Sequence, residues 1–217
     1  MSTELIGHRW ELHDAMFSIA NMERKICSCA KELDFTETIK AVELMKEYHK
    51  GQVRKGKDQV PYIIHPLMIA CHAFALGIGD DHLIAACLLH DVMEDSRVTA
   101  KDLRDAGVNE EVVEIVELVS FFENPGISHK EAKKAYFERI ATNRKACMVK
   151  LLDRCNNIST MATGFTSKHI ADYIDETEEY ILPLLDKVKH EYGEYYNTAF
   201  LLKYQMLSVI ETVKRTL

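Results

Sequence analysis

The sequence predicts an all-α protein: a single bundle of roughly ten helices. Three observations lead there. With only 4 Pro and 9 Gly in 217 residues, the chain has too few turn residues for the many short strands of a sandwich or barrel. Apolar residues recur at helical spacing along most of its length. Ser, Thr or Asp followed three positions later by an acidic residue, the pattern that opens a helix, appears repeatedly. At 47% hydrophobic and 28% charged residues, one core can bury about 70% of the unfolded surface, which excludes general disorder.

The elements follow in order. Residues 4–33 carry Leu5, Leu12, Met16, Ile19, Ile26 and Leu33 in a loose helical rhythm, as one long helix or two short ones. Asp34 with Glu37 three on predicts a helix start, and Ala41, Leu44, Met45 and Tyr48 continue it to about Gly51. Residues 51–61, with two Gly, one Pro and four charges, read as a solvent-facing basic loop. A helix then follows His65-Pro66, where proline is tolerated at the first helical position, and stops around Gly77-Ile78-Gly79. Leu83 to Val92 is apolar enough for a core helix yet finishes in His90, Asp91, Glu94 and Asp95. Thr99 with Asp102 and Ser128 with Glu131 predict further starts. Between them, Val/Ile-rich 112–119 is assigned to a helix by Glu110, Glu111, Glu114 and Glu117, against the strand preference of its β-branched residues. The tail from about 167 adds two helical patterns broken near Pro183 and Gly193. Neither repeat nor linker divides the chain. Residues 1–33 read as a helical extension, 34–165 as the core and 166–217 as C-terminal helices packed on it.

Charge and cysteine usage narrow the function. Lys+Arg 27 against Asp+Glu 34 gives a net charge of -7, which disfavours sequence-independent nucleic-acid binding. The longest apolar runs fall short of the roughly 20 residues of a membrane span. Six cysteines without a C-x-x-C pair, and a start without a basic region followed by an apolar stretch, predict reduced thiols in the cytoplasm.

The chemistry concentrates in three places. In Leu88-Leu89-His90-Asp91-Val92-Met93-Glu94-Asp95, Glu94 lies four residues after His90 and three after Asp91, so a helix presents all three on one side. Ionisable groups closing an apolar helix are costly to bury without a compensating charge. A divalent cation supplies it, since imidazole and carboxylate together suit Mn, Fe or Zn; an acidic, solvated helix end with a satisfied histidine is the alternative. In Pro61-Tyr62-Ile63-Ile64-His65-Pro66 two prolines stiffen the approach of a histidine to a helix. It is a ligand, a cap or a packed side chain. Within Val149-Lys150-Leu151-Leu152-Asp153-Arg154 the carboxylate of Asp153 needs Lys150, Arg154 or a metal as partner. Gly51-Gln52-Val53-Arg54-Lys55-Gly56-Lys57 has the spacing of a phosphate-binding loop, but Asp58 stands where Ser or Thr must bind Mg, which excludes a nucleoside triphosphatase. Tyr192, Tyr195, Tyr196 and Tyr204 read as packing or subunit contacts in an acidic tail.

Taken together and in order, His49-x-Gly51-Gln52-x-Arg54-Lys55, Pro61-Tyr62-x-x-His65-Pro66, His90-Asp91-x-x-Glu94-Asp95 and Lys150-Leu151-x-Asp153-Arg154-x-x-Asn157 resemble the HD-domain phosphohydrolases, specifically the hydrolase module of RelA/SpoT-type alarmone enzymes. The resemblance spans roughly residues 37–160 and implies that residues 34–165 form the HD hydrolase core. It implies His65, His90, Asp91 and Asp153 as ligands of one divalent metal ion, manganese in the alarmone branch, and Glu94 and Asp95 as the acidic pair that assists water attack and leaving-group protonation. Arg54 and Lys55, with Lys57 beside them, form a basic loop suited to gripping a pyrophosphate, and Asn157 and Thr160 match polar residues used against the nucleotide. The implied reaction removes the 3′-diphosphate of guanosine tetra- or pentaphosphate. Two departures bear on the substrate: the loop between Arg54 and Pro61 is longer than usual, and Asn156 and Ser159 replace the more usual His and Arg. The chain carries no synthetase, TGS or ACT domain, so a stand-alone hydrolase is expected. The alternatives are an HD phosphatase acting on NADPH or an adenosine-based alarmone, and a binding or regulatory protein. The expected partner is a phosphorylated purine nucleotide, with homo-oligomerisation through the C-terminal helices.

Overall fold

The computed structural model describes residues 18–54, 60–161 and 165–216. Lys55, Lys57 and the helical rhythm assigned before residue 18 lie outside the described residues. The helices are α1 (Ile19–Glu32), α2 (Thr36–Tyr48), α3 (Ile64–Ala75), α4 (Asp81–Leu89), α5 (Val92–Asp95), α6 (Ala100–Asp105), α7 (Glu110–Val119), α8 (His129–Ile140), α9 (Arg144–Thr160), α10 (Ser167–Glu176), α11 (Leu182–Glu191) and α12 (Tyr196–Lys214). Among the described residues the β-structure amounts to one bridge between Val53 and Pro61. The all-α expectation holds.

α4 is the axis of the bundle. Leu83 to Leu89 are all buried, and a helix apolar on every side must be enclosed by other helices; here α2, α3, α7 and α9 surround it. The polar ending of the segment is where the helix stops: α4 closes at Leu89, His90 takes the cap position, and α5 restarts at Val92. α3 and α9 also pack on each other. The start of α3 and the middle of α9 therefore meet at the C-terminal end of α4. The described C-terminal helices are anchored by contacts of α12 with α9 and α11.

Both capping boxes form as expected, Thr99 with Asp102 and Ser128 with Glu131. The start assigned to Asp34 does not. Asp34 adopts φ 55, and α2 has no side-chain cap of its own. Its first-turn amides instead donate to the carboxylate of Asp81 at the start of α4, Glu37 N at 3.0 Å and Thr38 N at 2.7 Å. One side chain thus caps a helix 43 residues earlier in the chain, a connection local spacing cannot reveal. Proline 183 also does not break the tail. It is the second residue of α11, after a π-helical turn at Thr177–Ile181 that joins α10 to α11; proline fits there because the first N–H groups of a helix have no intrahelical acceptor.

Candidate metal centre

Four of the residues singled out in the sequence converge at the end of α4. His65 enters from the second position of α3, His90 and Asp91 from the turn between α4 and α5, and Asp153 from the middle of α9. His65, His90 and Asp153 each offer a donor atom within 4.8 Å of the others. Asp91 joins them: its Oδ2 lies 3.0 Å from His90 Nε2 and 3.5 Å from His65 Nε2. Asp153 Oδ1 lies 3.2 Å from His65 Nε2 and 3.7 Å from His90 Nε2.

The tautomers of both histidines follow from their other nitrogens. His90 Nδ1 is 2.9 Å from the Cys87 carbonyl oxygen, which only accepts, so Nδ1 carries the proton. His65 Nδ1 is 2.7 Å from Asn156 Oδ1, and the Asn156 amide is oriented by its Nδ2 donating toward Met68 Sδ. With Nδ1 committed in each ring, Nε2 is the nitrogen turned toward the carboxylate oxygens. His90 Nε2 is buried with no hydrogen-bond partner. Carboxylates crowded in a buried space repel unless positive charge lies between them.

The local electrostatics express the same demand. Burial works against a charged imidazole at His90, but Asp91 and Asp153 outweigh it and lift the pKa to about 10. Burial likewise opposes ionisation of Asp91, yet His90 and then His65 hold its carboxyl well below the usual range. For Asp153 the opposing burial is overcome first by Lys150 and then by the two histidines. Lys150 Nζ sits 2.9 Å from Asp153 Oδ2 and neutralises one of the two carboxylates. The other has the Tyr62 hydroxyl as a donor, which carries no charge. Two nitrogen and two oxygen donors with one uncompensated negative charge fit a divalent cation of the borderline class.

Of the two candidate partners of Asp153, only Lys150 meets it. Arg154 points away into the interior, its guanidinium 3.9 Å from the Tyr173 ring centroid and bonded to Glu176 and to Thr177 Oγ1 of the π-helical turn. Asn157 also braces Asp153, donating from Nδ2 to Oδ1 at 2.6 Å, while its own Oδ1 accepts from Arg54 Nη2 at 3.1 Å. Arg54 thus stands at the rim of the centre. Thr160, at the end of α9, donates to the Asn156 carbonyl.

Glu94 and Asp95 both lie in the short helix α5 and are exposed. Glu94 Oε1 accepts from the Phe121 backbone N–H at 2.7 Å. The protein crowding this carboxyl outweighs Lys150 and the Phe121 bond, and raises its pKa above the ordinary glutamate value. The Asp95 carbonyl accepts from Gln52 Nε2.

Asn156 and Ser159, the two positions where the sequence departs from the family pattern, are both bonded within the protein: Asn156 orients His65, and Ser159 Oγ donates to the Cys155 carbonyl while accepting from Gln205 of α12. The available signal was spacing, since Asn156 lies three residues after Asp153 and so faces the same side of α9.

Comparison with known proteins agrees with this geometry. The HD-domain family matches residues 41–179. A guanosine-3′,5′-bis(diphosphate) 3′-pyrophosphohydrolase of Aquifex aeolicus is 31% identical over 156 residues, 70% of this chain and 21% of that protein. The enzyme of the same description named MESH1, from Xenopus tropicalis, is 29% identical over 149 residues, 66% of this chain and 82% of the relative. The bifunctional (p)ppGpp synthase/hydrolase SpoT of Escherichia coli K12 is 32% identical over 123 residues, 54% of this chain and 17% of its own length. The chain therefore spans about a fifth of the two long relatives and most of the short one. A solved structure described as that of a metazoan ortholog of SpoT that hydrolyses ppGpp superposes with a TM-score of 0.64 at 20% identity, covering 82% of this chain and 95% of the other; at that identity the likeness is one of fold.

Proposed function

Because the chain belongs to the HD-domain family, we propose that it is a metal-dependent phosphohydrolase that removes the 3′-diphosphate of guanosine tetra- or pentaphosphate, giving GDP or GTP and pyrophosphate. One observation carries the metal dependence: two imidazoles with Nδ1 already committed turn their Nε2 atoms onto two ionised carboxylates in one buried cluster. The named activities of relatives at about 30% identity support the substrate class.

In this reading His65, His90, Asp91 and Asp153 hold one divalent ion, manganese, whose Lewis acidity lowers the pKa of water and offsets charge on the phosphorus under attack. Lys150 and Asn157 keep Asp153 ionised and aimed. Arg54, with Lys55 beside it, grips the pyrophosphate; a guanidinium forks onto two oxygens at once. Asn157 and Thr160 face the nucleoside. Glu94, whose Oε1 already accepts from Phe121, presents Oε2 to deliver a proton to the departing 3′-oxygen. Asp95 takes the proton of the attacking water. Such assistance contributes about 100-fold to 10,000-fold.

No helix among the described residues is long and apolar enough to cross a membrane, and the six cysteines are free, which supports a reducing cytoplasm. Tyr196, Phe200, Leu201 and Tyr204 are exposed on α12 and support self-association through that helix, which sedimentation at several concentrations tests.

The decisive experiment incubates the Mn-loaded chain with guanosine tetraphosphate and scores pyrophosphate, beside an Asp153→Ala control. Pyrophosphate release by the wild type alone is expected. Orthophosphate as the product moves the substrate to another phosphorylated nucleotide such as NADPH, and equal turnover by the control overturns the mechanism.

A further inference from the structure

Tyr62 stands between the two halves of the site. Its hydroxyl donates to Asp91 Oδ2, the same oxygen that approaches both imidazole Nε2 atoms. The ring itself is held in place. His49 lies against it at a centroid separation of 4.7 Å, and the Arg54 guanidinium is 5.9 Å from its centroid.

The groups behind Tyr62 form a shelf that also reaches Asp95. His49 Nδ1 meets Gln52 Oε1 at 2.7 Å, and an amide oxygen only accepts, so the proton is on Nδ1. Gln52 Nε2 donates to the Asp95 carbonyl at 2.9 Å, and Tyr62 N donates to the Gln52 carbonyl at 2.9 Å. His49 is 2% exposed, and burial outweighs its hydrogen bond to Gln52 in lowering its pKa. These residues contribute no donor atom to the candidate centre, yet they are packed and bonded as closely as the groups that do.

Resting on the metal-dependent reading above, we propose that Tyr62 is a positioning residue that ties the metal-binding carboxylate of Asp91 to Asp95 of the acidic pair, with His49 and Gln52 as its support. A carboxylate can still rotate about its last bond, and one strong donor to the oxygen facing the ion fixes that rotation before the ion arrives. Partners of this kind, one bond removed from the metal, are worth about 10- to 100-fold in metal affinity. Because Tyr62 N is held by the Gln52 carbonyl and Gln52 Nε2 pins the Asp95 backbone, the position of the acidic pair is coupled to the position of the ligand.

Tyr62→Phe tests this, because it keeps the ring, its stacking on His49 and its contact with Arg54 while deleting the donor. Mn²⁺ affinity of the full chain, measured by calorimetry or by the electron paramagnetic resonance of free Mn²⁺, is expected to fall about 10- to 100-fold. The metal-free melting temperature is expected to stay unchanged. At saturating Mn²⁺ a deficit in kcat is expected with KM for guanosine tetraphosphate altered by less than about twofold, the signature of a misplaced acidic group and not of weaker substrate binding. Unchanged Mn²⁺ affinity in the variant, with the wild type binding normally, overturns the proposal and leaves the metal centre standing. A matching loss of metal-free stability marks a folding role only and overturns it too. A wild type that binds no divalent ion overturns both the proposal and the reading beneath it.

Discussion

Asn156 accepts the Nδ1 proton of His65 at 2.7 Å, and this one bond decides which nitrogen of a buried histidine faces the centre. Asn156→Leu, close in size and without an acceptor, is expected to weaken Mn²⁺ binding by about 10- to 100-fold. A calorimetric titration checks it, and an unchanged affinity would assign His65's orientation to packing alone.

Glu94 separates chemistry from metal binding. Its carboxylate is bonded to the Phe121 amide and faces no imidazole, so Glu94→Gln is expected to retain Mn²⁺ affinity while kcat falls by about 100-fold or more. Single-turnover measurements at saturating metal give the comparison.

Removal of the ion has a stability signature. Asp91 and Asp153 crowd the two imidazoles, and any ligand that binds only the folded chain stabilises it by about 4 kcal/mol at a thousand times its Kd. Chelation is expected to lower the melting temperature, and excess Mn²⁺ to restore it. In Asp153→Asn the melting temperature should respond to neither treatment.

Asp81 predicts a purely structural effect. Its carboxylate accepts from Glu37 N, Thr38 N and the Thr38 hydroxyl, so Asp81→Ala is expected to cost about 2 kcal/mol in urea unfolding. Turnover of the folded fraction should be unaltered, because the cap lies at the end of α4 opposite His90.

Acid sensitivity is expected from Glu176. Burial opposes its ionisation, but Arg154 and then Lys133 overcome this and hold its pKa at about 2, against 4.5 for an ordinary glutamate. A depressed folded-state pKa stabilises the fold above the unfolded value and is lost as pH falls through the folded one. The contribution, on the order of 2–3 kcal/mol, is therefore full above about pH 5 and fades toward pH 2. Glu176→Gln should be less stable than wild type at pH 7, with the gap closing in melts taken toward pH 3.

The sequence by itself determined the helical class, both capping boxes and the enclosed helix of residues 83–89, because periodicity, cap chemistry and an apolar run closing on ionisable residues are local signals that the fold leaves in place; the four side chains that meet at its end were joined only by the ordered resemblance to the HD-domain phosphohydrolases, since each segment alone left alternatives open. Tertiary structure alone decided their relations. Asp81 caps α2 from another helix, Lys150 and not Arg154 pairs with Asp153, and Asn156 and Tyr62 bond the groups that face the centre. Each of these depends on which faces of α3, α4 and α9 are brought into contact. Spacing along one chain fixes the side of a helix on which a residue lies, but not what stands opposite it.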